Sequence, residues 1–105
     1  MTIPNLDFIK ELSNGDLAFE QKFIQILKQE FPLELEEYQS HIDKAQFNEA
    51  AMNVHKIKHK LSILGLMDDY ELAIKHEEGL LNGDPQWKND FLRTLEKVDE
   101  FIKTI

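Results

Sequence analysis

The chain has 105 residues, of which 42% are hydrophobic, and its 20 acidic and 12 basic side chains give a formal net charge of −8. This size and composition fit one compact domain, residues 1–105, with a single hydrophobic core. The acidic balance argues against nucleic-acid and anionic-membrane partners, which need cationic surface, and the absence of cysteine excludes disulfides and cysteine-based zinc sites.

Five helices are predicted, because apolar residues recur every three to four positions and no segment shows the alternation of a strand. We expect them at about residues 5–13, 16–44, 46–64, 68–81 and 85–103. Short connections make neighbouring helices antiparallel. The expected fold is therefore all-α, an up-and-down antiparallel four-helix bundle with a short extra N-terminal helix.

Two turn signals separate these helices clearly. Asn14-Gly15-Asp16 predicts the end of the first helix followed by the N-cap of the second. In Asn82-Gly83-Asp84-Pro85, Gly83 is expected just after the fourth helix, Asp84 at the next N-cap and Pro85 at the first helical position.

Two further local features concern helix starts and continuity. Asp68-Asp69-Tyr70-Glu71 resembles a capping box, so a helix is expected to start near Asp68 after another ends near Gly65. Pro32 lies within the second helix, where it lacks an N–H and clashes with the preceding turn. We therefore expect a kink or break near Phe31.

The third helix has one apolar and one polar face. At about 100° per residue its apolar stripe faces the core, which leaves His55 and His59 exposed and one turn apart. The residues of this stripe are Phe47, Ala50, Val54, Ile57, Leu61 and Leu64. The neighbours of His55 at helical spacing are Ala51, Met52, Lys58, His59 and Ser62. Four of them, Ala51, Met52, His59 and Ser62, are expected to form a docking surface for a partner.

The chemistry of this face suits an anion. A neutral imidazole such as that of His55 is a good nucleophile near neutral pH, and its attack on a phosphoryl group would create a phosphoramidate that needs counter-charge. Lys58, one turn along, can supply that charge. Lys56 and Lys60 point elsewhere on the wheel and would act only through longer-range, screened attraction.

This stretch resembles the active helix of histidine-containing phosphotransfer (HPt) domains. The family signature reads alanine-histidine-x-leucine-lysine-glycine, then small residues and a leucine-glycine-alanine or leucine-glycine-leucine ending. His55 matches the phosphoaccepting histidine, Ile57 the aliphatic position and Lys58 the phosphate-supporting lysine. Ser62 lies in the small-residue stretch, and Leu64-Gly65-Leu66 matches the ending.

Two positions depart from the family pattern. Val54 replaces the small residue before the histidine, and His59 stands where the family has glycine. That glycine leaves room for the phosphoryl group and the partner. The imidazole of His59 could crowd this space, or it could swing aside and donate a hydrogen bond to phosphate.

The resemblance implies a passive phosphocarrier in a two-component phosphorelay. A receiver-domain aspartyl phosphate would pass its phosphoryl group to His55, which would hand it to another receiver. The expected partners are response-regulator receiver domains, with a hybrid sensor kinase as a further one. The partner would supply the magnesium ion, so this chain needs no cofactor or metal. We expect no autokinase activity, because no phosphate-binding glycine loop or kinase motif is present.

The expected setting is a cytoplasmic, monomeric, stand-alone module. No stretch reaches the roughly 20 apolar residues of a membrane span, and the N-terminal residues lack a secretory signal pattern.

Two alternatives remain open at this point. One is an adaptor or structural bundle, a degenerate HPt domain that docks receivers without carrying phosphate. The other is a metal site, because His55 and His59 have the i, i+4 spacing of a helical zinc pair and His76 and Glu77 could complete it. The fourth histidine, His41, has no nearby chemistry in the sequence and is expected on the surface.

Overall fold

The computed structural model describes residues 3–105, and this part of the chain is all-helical, without a strand. The helices are α1 (Asp7–Ser13), α2 (Leu17–Asp43), α3 (Phe47–Ile63), α4 (Met67–Leu81) and α5 (Lys88–Thr104). The five predicted helices are therefore confirmed, and their ends differ from prediction by no more than a turn. No helix in residues 3–105 is both long and apolar enough to cross a membrane.

The helices pack around one core. α3 lies against α2 and α4, α5 contacts α2 and α4, and α1 rests on α2. The predicted stripe of α3 is confirmed as the buried face: Ala50, Val54, Ile57, Leu61 and Leu64 are all fully buried, and Phe47 is half-buried. Burial on this scale fixes the rotation of α3, and so fixes which side chains face outward.

Turn chemistry fixes the ends of α1 and α3. Asn14 is left-handed and the side chain of Asp16 accepts a hydrogen bond from the Phe19 N–H at 3.1 Å, as predicted. Gly65 follows α3 with φ +77°, and a Cβ there would lie 2.7 Å from the side chain of Asn5. Only glycine fits that position without strain.

The predicted start of α5 is wrong. Gly83 does terminate α4 in a left-handed conformation, but α5 begins at Lys88, with Trp87 rather than Asp84 at the N-cap. The N–H of Asp84 is used to close the end of α4 by bonding the Gly79 carbonyl at 2.8 Å. Its carboxylate accepts from the backbone N–H of Gln86, so a turn stands where the first helical residues were expected.

The predicted capping box is also wrong. α4 starts at Met67, with Leu66 at the N-cap and without a side-chain cap. Asp69 turns to α5 instead, where it accepts hydrogen bonds from Thr94 Oγ1 at 2.6 Å and from Lys97 Nζ at 2.8 Å. A partly buried carboxylate gains more from a cation and a hydroxyl than from one backbone N–H.

α2 does not break near Phe31, where Pro32 predicts a kink or break. α2 runs without interruption through Pro32 over 27 residues. Phe31 is fully buried and Pro32 is exposed, so the proline ring lies on the solvent side while the apolar face stays in the core. Packing of that face therefore outweighs the lost backbone bond.

Candidate functional site

The polar face of α3 carries His55 and His59 toward solvent, as the helical wheel predicts. The side chain of His55 is 56% exposed, and His59 is exposed as well. Their ring centroids lie 5.3 Å apart with an interplanar angle of 88°, an edge-to-face arrangement. The backbone beneath them is rigid, because Val54 and Ile57 are sealed in the core.

Glu77 of α4 lies at the centre of the site. One carboxylate oxygen is 3.2 Å from Nδ1 of His55, and the other accepts a hydrogen bond from Lys58 Nζ at 3.1 Å. One carboxylate thus contacts both His55 and Lys58, the two residues that are predicted to bind the phosphoryl group. It also joins α3 to α4 at the level of the imidazole.

The contact with Glu77 determines the tautomer of His55. An ionised carboxylate only accepts hydrogen bonds, so Nδ1 must carry the proton that it donates. The Nε2 atom of the neutral ring then keeps its lone pair. The exposed ring of His55 therefore has one unprotonated nitrogen, Nε2, while Glu77 holds the ring at the other nitrogen, Nδ1.

Lys58 is less free than the sequence suggests. Its side chain is only 13% exposed, and its ammonium group lies 6.0 Å from the ring centroid of Tyr70 in addition to its bond with Glu77. Glu77 therefore shares its charge between Lys58 and His55. To contact a phosphoryl group, the ammonium would exchange some of that carboxylate contact for phosphate oxygens.

The other two lysines of this segment differ from one another. Lys60 bridges to α2, at 2.8 Å from Glu34 and 3.1 Å from Glu30. Burial lowers the pKa of Lys60, but the hydrogen bonds and charges of Glu34 and Glu30 outweigh it, so the net shift is upward. Lys56 is exposed, forms no ion pair within residues 3–105, and lines the same depression as His55. The expectation that Lys56 points elsewhere is therefore too restrictive.

The predicted docking residues are only partly on the surface. Met52 is 65% exposed and Ser62 is exposed, but Ala51 is only 2% exposed. Ala51 as an exposed docking residue is therefore wrong; it lies beside Glu77 and Leu81 of α4, the helix that packs against α3. It forms part of the floor of a shallow depression beside the imidazole. The depression is lined by Ala51, Met52, His55, Lys56, Glu77 and Leu81.

The remaining histidines do not join the site. His76 is fully buried, and its Nε2 lies 2.6 Å from the Tyr38 hydroxyl on the core side of α4. His41 is half-buried and donates from Nδ1 to Asn53 Oδ1 at 2.6 Å, so its expected place on the surface is confirmed only in part. Within residues 3–105, His, Asp and Glu side chains form no group of three or more that could hold a metal. The ligand set considered for zinc is therefore not assembled, since His76 faces away from His55.

Sequence reasoning missed the part that Glu77 plays at the imidazole, and it missed Leu81. Glu77 is one of several exposed-looking acidic residues on α4, and its contact depends on how two helices pack. Leu81, 58% exposed, lies one turn beyond Glu77 and lines the depression. The sequence signal for Leu81 is its spacing: it is an apolar residue four positions after Glu77, so the two lie on the same face of α4.

No protein-family model, curated protein or solved structure matches this chain.

Proposed function

We propose that this chain is a histidine phosphotransfer protein of a two-component phosphorelay. His55 accepts a phosphoryl group from a receiver-domain aspartate and passes it to another receiver. The observation that carries the proposal is the exposed His55 ring, with Nδ1 held by Glu77 at 3.2 Å and Nε2 left with its lone pair. The resemblance of residues 55–66 to the HPt signature supports the same assignment.

The proposed fold is the matching scaffold, an up-and-down antiparallel bundle of α2 to α5 with α1 as the short extra helix. The helix contacts support it, because α2 packs on α3, α3 on α4, α4 on α5 and α5 on α2. Such a closed ring presents the outer face of α3 on a stiff support. We further propose a cytoplasmic, monomeric carrier, the setting of receiver domains.

From this chain, the proposed reaction requires only the side chains of the site on α3 and α4. The Nε2 lone pair of neutral His55 attacks the phosphorus of the aspartyl phosphate. The N–P bond forms as the P–O bond to the aspartyl carboxyl breaks, and that electron pair leaves with the carboxylate. The ring, still protonated on Nδ1, becomes a phosphorylated imidazolium. Onward transfer to a second receiver aspartate reverses these steps.

Glu77 and Lys58 act on the two ends of that product. The carboxylate of Glu77 beside Nδ1 stabilises the positive ring, because opposite charges at this separation attract even at a half-exposed site. Lys58 lies next to the same carboxylate and offers an ammonium group for the phosphoryl oxygens. Lys56, which forms no ion pair within residues 3–105, adds a second cation for a partner with an acidic pocket.

The test is phosphotransfer from a panel of phosphorylated receiver domains. We expect a labelled chain whose adduct is stable in base and labile in acid, as a phosphoramidate is. The alternative of a docking adaptor gains support from the packing of His59 against His55, since the second ring narrows the approach to the first. An adaptor would bind receivers and acquire no label.

A further inference from the structure

His59 is an exposed polar side chain beside the imidazole of His55. Its ring centroid lies 5.3 Å from that of His55, and the two rings are nearly perpendicular. Neither ring nitrogen of His59 has a hydrogen-bond partner among residues 3–105. It is an unused donor one helical turn from His55.

No hydrogen bond among residues 3–105 holds the ring of His59 in place. On the helical wheel it lies opposite the buried stripe of α3, so the side chains facing it come from its own helix. Its neighbours at helical spacing are His55, Lys56, Ser62 and Ile63. Two acidic side chains that reach α3 from α4 and α2 are already paired, Glu77 with His55 and Lys58, and Glu34 with Lys60.

We propose that His59 donates a ring N–H to a phosphoryl oxygen carried on His55 and so stabilises the phosphorylated form. The proposal rests on the proposed function and assigns a partner to that same site. A neutral imidazole always has one N–H, so the donor is present in either protonation state. The phosphoryl group on Nε2 brings three acceptor oxygens to the side of the ring that Glu77 does not occupy.

This bond would shift the phosphorylation equilibrium of His55. A hydrogen bond to a charged acceptor that forms only in the phosphorylated state raises the equilibrium constant for phosphorylation by about tenfold. This hydrogen bond would then offset the loss of the room that a glycine at position 59 would leave for the phosphoryl group. The carrier would hold its phosphoryl group more firmly than a histidine without such a donor.

The experiment uses potassium phosphoramidate as the donor, because no partner protein is then needed. The Nε2 lone pair attacks phosphorus, the P–N bond of the donor breaks, and ammonia leaves. The equilibrium fraction of phosphorylated His55 is measured by residue-resolved NMR in wild type, His59→Gln, His59→Leu and His59→Gly, at fixed ammonium concentration. Gln keeps an N–H donor, whereas Leu keeps bulk alone.

We expect wild type and His59→Gln to agree within about twofold, and the Leu and Gly variants to have equilibrium constants about tenfold lower. The ring nitrogen resonances of His59 should also shift when His55 is phosphorylated. Equal constants in all four proteins with an unshifted His59 ring would overturn this proposal and leave the proposed function intact. A higher constant in His59→Gly would overturn it too, because His59 would then be an obstruction. Failure of wild-type His55 to accept the phosphoryl group would overturn both.

Discussion

Nδ1 of His55 lies 3.2 Å from a carboxylate oxygen of Glu77, across the contact between α3 and α4. The pair gives a surface imidazole a fixed orientation, which a histidine on an isolated helix would lack. It also places a negative charge where the ring would become positive in the proposed phosphotransfer.

Replacing Glu77 tests this relationship. We expect Glu77→Ala to slow phosphotransfer about tenfold, because the ring loses both its orientation and the charge that stabilises the imidazolium. The transfer rate of Glu77→Gln should lie between those of wild type and Glu77→Ala, since the amide oxygen can still accept a hydrogen bond from Nδ1. Initial rates with a phosphorylated receiver provide the measurement. Glu78→Gln is the matched control on the exposed neighbour, and equal rates for all these proteins would remove Glu77 from the site.

Lys58 and Lys56 offer a matched pair of cations. We expect Lys58→Ala to slow transfer by roughly tenfold without unfolding the protein, because in the proposed mechanism its ammonium group supports the phosphoryl oxygens. Lys56→Ala should change the rate by about twofold or less at moderate salt, since an exposed charge acts through screened attraction. Stopped-flow transfer rates at two salt concentrations separate the effects. A Lys58→Ala rate equal to that of wild type would contradict the role of Lys58.

The exposed apolar residues of the depression should affect docking rather than chemistry. Met52→Glu should weaken receiver binding about tenfold, because it removes an apolar contact and adds a charge that repels an acidic partner. Phosphorylation of His55 by phosphoramidate should be unchanged. Leu33→Glu is the control, since Leu33 on α2 is 62% exposed and Met52 is 65% exposed. Calorimetric affinities that fall equally for both variants would refute a docking role for Met52.

The buried pair of Tyr38 and His76 predicts a pH-dependent stability. Burial lowers the pKa of His76 to about 4, so the folded protein keeps this ring neutral while the unfolded chain protonates it near its ordinary value of about 6.5. The stabilising contribution is complete above about pH 6.5 and is lost as the pH falls toward 4. Between pH 7 and 5, His76 alone should lower the free energy of unfolding by about 2 kcal/mol.

Urea unfolding of wild type and His76→Gln at both pH values measures that contribution. Gln keeps a hydrogen-bonding partner for the Tyr38 hydroxyl and does not titrate. The pH-dependent loss should therefore be about 2 kcal/mol smaller in the variant. The same loss in both proteins would mean that His76 does not sense pH.

The sequence predicts the helices and the outward face of α3, because both depend on periodicity within one segment. The exposure of His55 and the burial of Ile57 follow from the same wheel. The periodicity of one helix does not predict which side chains of a neighbouring helix pack against it. Ala51 is buried beside Glu77 and Leu81 of α4, and Glu77 reaches His55 only through the packing of α3 and α4.

Helix starts are predicted less well for a related reason. Asp69 has the sequence of a capping residue, but Thr94 and Lys97 of α5 offer it better partners. Asp84 is likewise drawn into the turn after Gly83. In both places a tertiary or turn contact outweighs a local capping preference.

The most direct measurement of the central claim is site-resolved labelling by a phosphorylated receiver domain. Wild type, His59→Gln and His41→Gln should all acquire an acid-labile, base-stable adduct that maps to residue 55. His55→Gln should acquire none, while its helicity and melting temperature stay close to wild type because the side chain is exposed. Label that survives in His55→Gln, or that maps to another residue in wild type, would contradict the account.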